Sequence, residues 1–431
     1  MSANKNTITE PSVPSGSLAE RYQHTRALTL ELAEGLSDAD ATVQSMEDAS
    51  PAKWHMAHTT WFFETIVLKG HTTGYAEFDR RFAWLFNSYY EALGDRQPRP
   101  LRGMITRPSL DEVLAYRSYV DKAMARLLDQ PLSATLADLV VLGINHEQQH
   151  QELLLTDILH LFDQNPFKPN YRPGEPIEVT DRIPTEMGWI EFEGGEFTFG
   201  HEDAGGHEGA GFAFDCEGPR HRRLVEPFRL GTRCVTNREW IEFIESGGYE
   251  TTALWLSDGW ATIRTEGWQA PLYWQQRDGE WWSMTLRGLQ PVDLDAPVTH
   301  VSYFEADAYS SFAGKRLPTE FEWEQAAQQQ AVEGNLLASG RLRPAPATGD
   351  GLQQMYGDVW EWTSSPFAAY PRFKPPAGAV GEYNGKFMNG QYVLRGGSCV
   401  TPDGHLRSTY RNFFQPEKRW QFTGLRLADD Q

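Results

Sequence analysis

Cysteine is scarce in this chain of 431 residues, which contains only Cys216, Cys234 and Cys399. Three scattered thiols cannot build a disulfide framework or a zinc site made of several thiolates. Long apolar runs are also missing, since no segment approaches the roughly 18 apolar residues that a membrane-spanning helix needs. The first 17 residues are polar and lack the apolar segment of a secretory signal. These absences predict a soluble, cytoplasmic protein.

Positive charge is the next shortage, because 39 Lys and Arg residues face 59 Asp and Glu residues and leave a net charge of −20. A surface this acidic repels phosphate backbones and anionic lipids, which argues against nucleic-acid and membrane partners. Hydrophobic residues make up 40% of the chain and aromatic residues 13%, enough to form a large packed core. The length allows two or three domains of ordinary size.

The first part of the chain carries the signals of amphipathic helices. Residues 1–16 are rich in Ser, Pro, Thr and Asn and are predicted to be a flexible tail. Ser17 and Ser109 each precede a glutamate at capping-box spacing, and Ser50-Pro51 supplies an N-cap and a first-turn proline. These signals and the apolar periodicity predict helices over 17–35, 51–68, 109–128 and 134–162. We expect residues 17–164 to form an antiparallel four-helix bundle.

The texture of the sequence changes after the bundle. Residues 165–184 contain five prolines and lack helical periodicity, which predicts a linker. From residue 185 to 431, short alternating runs such as Trp189 to Phe192 are separated by Gly-rich turns. This pattern predicts a mixed α+β domain with much irregular structure.

The most informative motif is His146-Glu147-Gln148-Gln149-His150. Histidines at i and i+4 lie on one helical face about one turn apart, so both imidazoles can reach one metal ion. The string also matches the HExxH signature of zinc proteases. That interpretation needs a third ligand downstream, but Leu153 and Thr156 occupy the places of the extended motif.

A third ligand is available upstream in His58, which is flanked by Trp54, Trp61 and Phe62 in the second predicted helix. An imidazole among apolar side chains needs a partner, and bundle metal sites are built from facing helices. Three neutral histidines suit Fe(II), Zn or Cu about equally. The alternative is that each histidine is only a hydrogen-bonded core or surface residue. His55, one turn earlier, is expected either behind the ligands or at the surface.

Both halves of the chain resemble known families. The first half resembles the DinB-type bundle, and the second resembles the formylglycine-generating (sulfatase-modifying-factor) enzymes with their C-type-lectin-like fold. The DinB strings are Ser50-Pro51, Trp54 to His58 and His146 to Leu154. The strings of the second half are Pro297 to Ser302, Gly314 to Glu324, Gly357 to Trp362, Arg395 to Ser398 and Gly424 to Leu427.

The combination is similar to the EgtB-type sulfoxide synthases of ergothioneine biosynthesis. The resemblance implies a mononuclear non-haem Fe(II) on His58, His146 and His150. It also implies an O2-dependent reaction that joins the thiol of cysteine or γ-glutamylcysteine to C2 of the hercynine imidazole and yields a sulfoxide. Formylglycine-generating enzymes instead hold copper on two nearby cysteines, whereas here Cys399 has no partner thiol beyond it. We therefore expect Cys399 to be a buried packing residue.

The long connection within the bundle resembles the loop that carries active-site tyrosines in one EgtB subgroup. Tyr89 or Tyr90 is the expected proton donor to a reduced oxygen species. Arg99 and Arg102 are the expected partners for the carboxylate of the thiol substrate. Packing aromatics and a solvated basic loop are the respective alternatives.

The resemblance assigns the other wall of the site to the C-terminal part of the chain. Asn412 is expected at the hercynine carboxylate, with Phe413 and Phe414 beside it. A quaternary ammonium favours aromatic faces, which Trp420 and Phe414 are expected to supply. Gln149 is expected near the substrate imidazole. Packing is the alternative for each aromatic, and helix-surface exposure for Gln149. The string Gly357 to Trp362 is expected to be a fold signature, which in this fold often lies near a structural Ca2+.

Other functions remain open at this point. A selenoneine-type synthase would join a selenosugar to hercynine, and an ovothiol-type synthase would use histidine itself. A zinc protease and a binding protein without catalysis are more distant alternatives. The oligomeric state and the choice of thiol are not determined by the sequence.

Overall fold

The computed structural model describes residues 16–88, 90, 92, 94–174, 186–202, 211–376, 381 and 384–431 of the chain. It places a bundle of helices before a domain of short strands and short helices. This is the predicted fold class, an all-α bundle followed by an α+β domain. Among the described residues, no helix combines the length and the apolar character needed to cross a bilayer.

The first half is built on long helices that lie close to the predicted ones. The structure has a π-helical turn, Phe63–Leu68, after its third helix. In chain order the helices are α1 (Leu18–Ala33), α2 (Asp38–Thr42), α3 (Ala52–Phe62), α4 (Lys69–His71), α5 (Phe82–Leu85), α6 (Leu110–Leu128) and α7 (Ala134–Gln164).

Side-chain caps fix where these helices begin. Ser17 and Ser109 both form the predicted capping boxes, since each hydroxyl accepts the backbone N–H of the glutamate three residues later. The prediction of Ser50 as the cap of α3 is wrong, because Pro51 occupies that position. The backbone N–H of Ser50 donates instead to Asp157 Oδ2 at 2.7 Å. Ser50 therefore ties the start of α3 to α7.

Helix α7 is antiparallel to α1 and α3. Thr29 of α1 contacts Glu147, while Thr25, one turn earlier, contacts Gln151, one turn later on α7. Contacts between histidines of α3 and α7 follow the same antiparallel order. The 31-residue helix α7 thus forms the axis of the bundle.

A glycine on α7 allows this helix to approach α3 closely. A Cβ atom at Gly143 would lie 2.5 Å from Cε1 of Phe63 and 3.0 Å from Cε1 of Phe62. Real Cβ atoms do not approach other heavy atoms at 2.5 Å. The hydrogen of Gly143 therefore leaves room for the rings of Phe62 and Phe63, which a methyl group would force to shift.

The strands of the second domain are β1 (Trp189–Phe192), β2 (Gly195–Phe199), β3 (His221–Val225), β4 (Phe228–Cys234), β5 (Trp274–Arg277), β6 (Glu280–Thr285), β7 (Gly288–Pro291), β8 (Trp360–Pro366), β9 (Tyr392–Arg395), β10 (Asn412–Phe414), β11 (Thr423–Gly424) and β12 (Arg426–Asp430). Within the described residues they form four sheets, with strand orders β1-β4-β12, β2-β3, β5-β6-β7 and β10-β9-β8-β11. These strands pair antiparallel except for β8 and β11. The helices are α8 (Asn237–Glu245), α9 (Ser257–Glu266), α10 (Tyr303–Phe312) and α11 (Glu320–Ala327).

The two halves share a hydrophobic core. Tyr273, Met284, Leu337, Cys399 and Phe422 of the second half are buried in the same apolar cluster as the bundle interior. Cys399 is a buried free thiol, as predicted, and burial raises its pKa well above the ordinary value for cysteine. Because this shared core flanks α7, polar side chains of α7 meet the second domain directly.

The segment after α7 packs against both halves where it is described. Tyr171 donates its hydroxyl to the carbonyl of Leu32, and its backbone N–H bonds to the carbonyl of Leu286. Residues 175–184 of the expected linker and 1–15 of the expected tail lie outside the described residues. The first part of the linker is therefore held against the bundle and the β6–β7 turn.

Candidate metal centre

Three imidazoles converge where α3 passes α7. His146 and His150 lie one turn apart on α7, and His58 faces them from α3. Their ligand nitrogens all lie within 4.8 Å of one another. His58 and His146 are buried, and His150 remains partly exposed. Within the described part of the chain, no other group of three or more His, Cys, Asp or Glu side chains converges in this way.

A hydrogen bond behind His58 fixes its tautomer. Nδ1 of His58 donates to the carbonyl of Phe86 at 2.6 Å, which leaves Nε2 unprotonated. This Nε2 lies 3.1 Å from Nε2 of His146. Two metal–nitrogen bonds of about 2.0–2.1 Å at roughly a right angle span about 3 Å. The separation of the two nitrogens therefore fits a shared metal ion.

Burial keeps the three imidazoles neutral. Desolvation lowers the pKa of His146 to about 3. Desolvation and the neighbouring imidazoles hold the pKa values of His58 and His150 well below the ordinary value for histidine. Neutral imidazole is the form that binds a metal. This donor set therefore fits Fe(II), Zn or Cu without any ligand having to lose a proton first.

His150 is held from behind by a second histidine and a carboxylate. Its Nδ1 lies 2.8 Å from Nδ1 of His55, and Nε2 of His55 lies 3.0 Å from Oδ2 of Asp157. A carboxylate accepts, so His55 donates from Nε2 and accepts from His150 at Nδ1. The proton of His150 is thus on Nδ1, and its Nε2 is the nitrogen left to face the other imidazoles. His55 is buried behind the ligands, the first of its two expected positions.

Flat groups stack around His58. The Trp54 ring is nearly parallel to the His58 ring, and their centres are 4.6 Å apart. The Trp61 ring is also nearly parallel to the His58 ring, with the centres 5.6 Å apart. The guanidinium of Arg102 lies over Trp54, 3.3 Å from the ring centre. Phe62 closes the side of His146 at 4.9 Å. The aromatic side chains that flank His58 in sequence therefore pack around His58 and His146.

Glu147, the glutamate of the HExxH string, points away from the histidines. Its carboxylate accepts from Arg26 at 2.8 Å, Arg117 at 2.9 Å and Thr29 at 2.6 Å. Although burial opposes ionisation, the two arginines hold the pKa of Glu147 below its ordinary value. A general base of a zinc protease must reach the metal-bound water. This geometry excludes the protease interpretation.

Family comparisons agree with both halves of this architecture. The model of the DinB superfamily matches residues 21–154, and that of the sulfatase-modifying factor enzyme 1-like domain matches residues 178–345 and 338–431. Hercynine oxygenase of Mycobacterium tuberculosis is 33% identical to this chain over 96% of it and 98% of its own length. Hercynine oxygenase of Mycolicibacterium smegmatis gives the same identity and coverage.

The chain belongs to the hercynine oxygenase family. The resemblance to EgtB-type enzymes is thereby confirmed. A formylglycine-generating enzyme of Thermomonospora curvata is 29% identical over 60% of this chain and 99% of its own. That relative accounts for the second domain alone, whereas the hercynine oxygenases span both halves.

In this member of the hercynine oxygenase family, the expected loop residues differ in their surroundings. Arg102 is buried, and its guanidinium donates to the hydroxyls of Ser50 and Ser88. Arg99 is partly exposed and donates to the backbone carbonyl of Asp48. Arg102 therefore has structural partners already, while Arg99 lies nearer to solvent. The carboxylate-binding role of either arginine stays a prediction.

Of the two expected tyrosines, Tyr90 is described and Tyr89 lies outside the described residues. Tyr90 is buried, with its ring 5.4 Å from Trp61 and 6.4 Å from Phe62. Trp61 in turn contacts His58, and Phe62 contacts His146. Tyr90 therefore belongs to the layer of aromatic side chains around the cluster, and its role as proton donor stays a prediction.

Gln149 joins the bundle to the second domain beside the cluster. Its Nε2 donates to Oη of Tyr410 at 2.7 Å, and Oη of Tyr410 lies 3.1 Å from Nε2 of His405. Nδ1 of His405 in turn lies 3.2 Å from Oε1 of Gln148. These contacts form one directed chain in which His405 donates to Gln148, Tyr410 donates to His405 and Gln149 donates to Tyr410. The amide of Gln149 is thus oriented by the second domain.

The C-terminal candidates fall on two faces of β10. Phe414 meets Trp420 edge to face at 5.3 Å, and successive strand residues point to opposite faces, so Asn412 shares this face. Phe413 points the other way and stacks on Phe367 at 4.0 Å. The placement of Phe413 supports packing, the alternative that the sequence had left open.

Trp420 differs from its expected surroundings in one respect. Its indole Nε1–H donates to Oδ1 of Asp157 at 3.1 Å. The ring therefore contacts a residue behind the three-histidine cluster, and its role in binding an ammonium group stays a prediction.

The expected calcium site near Gly357 to Trp362 gains no support from the described residues. The carboxylate of Asp358 accepts from the side chain of Asn335 at 2.7 Å and from the backbone of Ala345 at 2.8 Å. Burial raises the pKa of Asp358 to about 6. Trp360 of the same string donates to Glu152 of α7 at 2.7 Å. The string thus connects the two domains.

Sequence reasoning missed four residues of this region: Asp157, Tyr410, His405 and Glu152. Asp157 carried a usable signal, since it lies seven residues after His150 and therefore on the same face of α7. The contacts of the other three join α7 to the second domain across more than 200 residues of sequence. Their role depends on how the second domain docks, which local patterns do not encode.

Proposed function

We propose that this chain is a non-haem Fe(II) enzyme that uses O2 to join a thiol to C2 of the hercynine imidazole. The thiol is cysteine or γ-glutamylcysteine, the product is a sulfoxide, and the reaction is a step of ergothioneine biosynthesis. The observation that carries the proposal is the neutral three-histidine cluster in a chain similar to hercynine oxygenases over nearly its full length. The first half contains the cluster, whereas the similarity to hercynine oxygenases extends over both halves.

The proposed reaction balances without a further reductant. Formation of the C–S bond and oxidation of sulfur to the sulfoxide each release two electrons, and O2 accepts four. One oxygen atom enters the sulfoxide, and the other leaves as water with the protons from the thiol and from C2 of the imidazole. A three-histidine site leaves coordination positions open for reactants. A bound ferrous ion would supply the redox chemistry that O2 activation requires.

The protein's own residues bind and orient the substrates in this scheme. Gln149, whose amide nitrogen is engaged by Tyr410, offers its amide oxygen to an N–H of the hercynine imidazole. Asn412 and Phe414 lie on one face of β10 near Trp420, where they bind the carboxylate and the trimethylammonium group of hercynine.

Arg99 binds the carboxylate of the thiol substrate, because it is more exposed than Arg102. Arg102 acts through its positive charge, which contributes to the low pKa values of His58 and His150. Tyr89 or Tyr90 supplies a proton to reduced oxygen. Trp54, Trp61 and Phe62 keep water away from the imidazoles.

The test is anaerobic loading of the purified full chain with Fe(II), followed by addition of O2 with hercynine and one donor at a time. Cysteine, γ-glutamylcysteine and a selenosugar are the donors, and histidine replaces hercynine in a parallel series. Mass spectrometry is expected to detect the sulfoxide of hercynine with cysteine or γ-glutamylcysteine, together with stoichiometric O2 uptake.

Each other outcome points to a rival. Product with the selenosugar alone would indicate a selenoneine-type synthase, and product with histidine alone an ovothiol-type synthase. Absence of O2 uptake with every pair would indicate a binding protein and contradict the proposal. Zinc or copper loading under the same conditions serves as the control for the identity of the metal.

A further inference from the structure

The carboxylate of Asp157 is the meeting point of three parts of the chain. Its Oδ2 accepts from the backbone N–H of Ser50 at 2.7 Å and from Nε2 of His55 at 3.0 Å. Its Oδ1 accepts from Nε1 of Trp420 at 3.1 Å. Asp157, Trp420 and His55 are all buried. One α7 carboxylate thus binds the start of α3, a residue within α3 and a side chain of the second domain.

These contacts continue to the candidate ligand His150. Because Asp157 accepts from His55, His55 accepts at Nδ1 from Nδ1–H of His150, 2.8 Å away. A hydrogen bond on the far nitrogen of a ligand histidine fixes its ring and raises the basicity of the nitrogen that faces the metal. The row Trp420–Asp157–His55–His150 therefore leads from the second domain to the metal-facing nitrogen without a break.

We propose that Trp420, Asp157 and His55 are positioning residues through which the second domain sets the metal affinity of the bundle. The indole of Trp420 fixes one oxygen of Asp157, which holds His55 in the tautomer that accepts from His150. The inference rests on the metal centre of the proposed function but not on its substrates. It gives the second domain a task in the metal centre although that domain contributes no ligand to the three-histidine cluster.

The chain contains a matched control for this row. Trp360 also reaches from the second domain to α7, where its Nε1 donates to Glu152 at 2.7 Å. Both tryptophans are buried, and both bond to a buried carboxylate of the same helix. Glu152 is bonded to Ser398 and Thr401 and not to a histidine of the cluster. A general effect of domain docking would act through both tryptophans, whereas a positioning effect acts through Trp420.

The experiment compares Trp420→Phe and Trp360→Phe in the full chain by titration with Co(II), a spectroscopic probe for the three-histidine cluster. Trp420→Phe is expected to raise the dissociation constant for Co(II) between about 2-fold and 10-fold, as for one lost hydrogen bond. The visible absorption of bound Co(II) is expected to shift at the same time. Trp360→Phe is expected to leave both unchanged, even where thermal unfolding occurs earlier in both variants.

Two substitutions at His55 distinguish its hydrogen bond with His150 from its hydrogen bond with Asp157. His55→Phe removes both hydrogen bonds and is expected to weaken Co(II) binding about 10-fold to 100-fold. His55→Asn puts an amide oxygen near the place of Nδ1, where it can accept from His150 but cannot reach Asp157. We expect His55→Asn to recover part of the affinity that His55→Phe loses. This rescue would also show that His55→Phe is not merely a folding defect.

An unchanged dissociation constant and spectrum in Trp420→Phe would overturn the proposal. Equal changes in Trp420→Phe and Trp360→Phe would overturn it as well, since they would indicate docking in general. The outcome is separable from that of the proposed function, because Co(II) binding is measured without substrates. A wild-type chain that binds Co(II) but forms no product would contradict the proposed function and leave this inference intact.

Discussion

Neighbouring residues on α7 show two ways to bury polar groups in one bundle. Glu147 faces α1 and α6, where two guanidiniums and a hydroxyl donate hydrogen bonds to its carboxylate. His146, one residue earlier, faces α3, where its Nε2 meets Nε2 of His58. The first arrangement is closed, because opposite charges satisfy each other. The second brings two ring nitrogens to 3.1 Å from each other, which is favourable only when a proton or a metal ion lies between them.

The difference teaches how to distinguish structural from functional polar residues within a literal motif. The HExxH string contains both types, and identity alone does not separate them. Glu147 matches the motif but is occupied by arginines, whereas His146 and His150 converge with His58. A motif residue is therefore a candidate for chemistry only when its polar atoms face a shared space.

The largest effect is expected from a change at Glu147, whose carboxylate is paired with two arginines. Glu147→Gln removes the negative charge from between Arg26 and Arg117, and the free energy of unfolding should fall by about 3–5 kcal/mol. Urea denaturation of the metal-free chain measures this. The exposed pair between Lys69 and Glu77 is the control, for which Glu77→Gln should cost at most about 1 kcal/mol. Similar losses in the two variants would contradict the structural role of Glu147.

The second-largest effect is expected from a change at His58, which converges with His146 and His150. His58→Ala removes one of the three candidate ligands, so Fe(II) affinity should fall by more than about 100-fold, the upper value for residues that only support a ligand. Metal analysis after desalting and the sulfoxide assay should decline together. His160→Ala is the control, since this buried histidine of α7 bonds to Ser45 instead. Retained iron in His58→Ala would contradict the ligand assignment.

A buried imidazole outside the cluster sharpens the comparison. His300 has a backbone φ of 64°, which Asn tolerates, and its Nδ1 bonds to the carbonyl of Gln421 at 3.0 Å. Burial lowers the pKa of His300 to about 3. Between pH 6.5 and pH 3 the unfolded chain therefore binds a proton that the folded chain does not. The contribution of neutral His300 to the free energy of unfolding is complete above pH 6.5 and decreases as the pH falls through this range.

The size of this effect follows from the same pKa difference. At pH 5 the proton bound by the unfolded chain costs the folded state about 2 kcal/mol. His300→Asn should lose about 2 kcal/mol less stability than the wild type between pH 8 and pH 5. Guanidinium denaturation at the two pH values measures this difference. Identical pH dependence in both proteins would show that His300 does not contribute.

The smallest effect concerns the residue that orients Gln149. Tyr410→Phe removes the hydroxyl between Gln149 and His405, at a cost of about 1 kcal/mol for one hydrogen bond. We expect a several-fold higher KM for hercynine with little change in kcat. Tyr356→Phe is the control, since that buried hydroxyl bonds to the carbonyl of Ala327 within the second domain. A loss in kcat alone would contradict an orienting role.

The extent of successful prediction follows from the range of the interactions. Capping boxes at Ser17 and Ser109 act over three residues, and the i, i+4 spacing of His146 and His150 acts over one turn, so local sequence contains them. The antiparallel bundle then brought His58 within reach. Features of this range predicted the helices of the first half and the three candidate ligands.

What could not be predicted depends on docking and on strand orientation. The indole of Trp420 reaches Asp157 across 263 residues of sequence, and no local pattern contains that pair. Phe413 and Phe414 are neighbours of the same type, and only the pairing of β10 with β9 decides which face each occupies. For that reason the sequence grouped them together, while the structure separates them.

Gly143 gives the close approach of α7 and α3 a consequence for the evolution and engineering of this centre. Gly143 lies one turn before His146, and the rings it contacts, Phe62 and Phe63, follow His58 by about one turn. A methyl group added at Gly143 would press on these two rings and, through Phe62, on the ring of His146, which lies 4.9 Å from that of Phe62. The space around the three imidazoles therefore depends on a residue that has no side chain and lies outside the cluster, and a redesign for a larger ion could begin there.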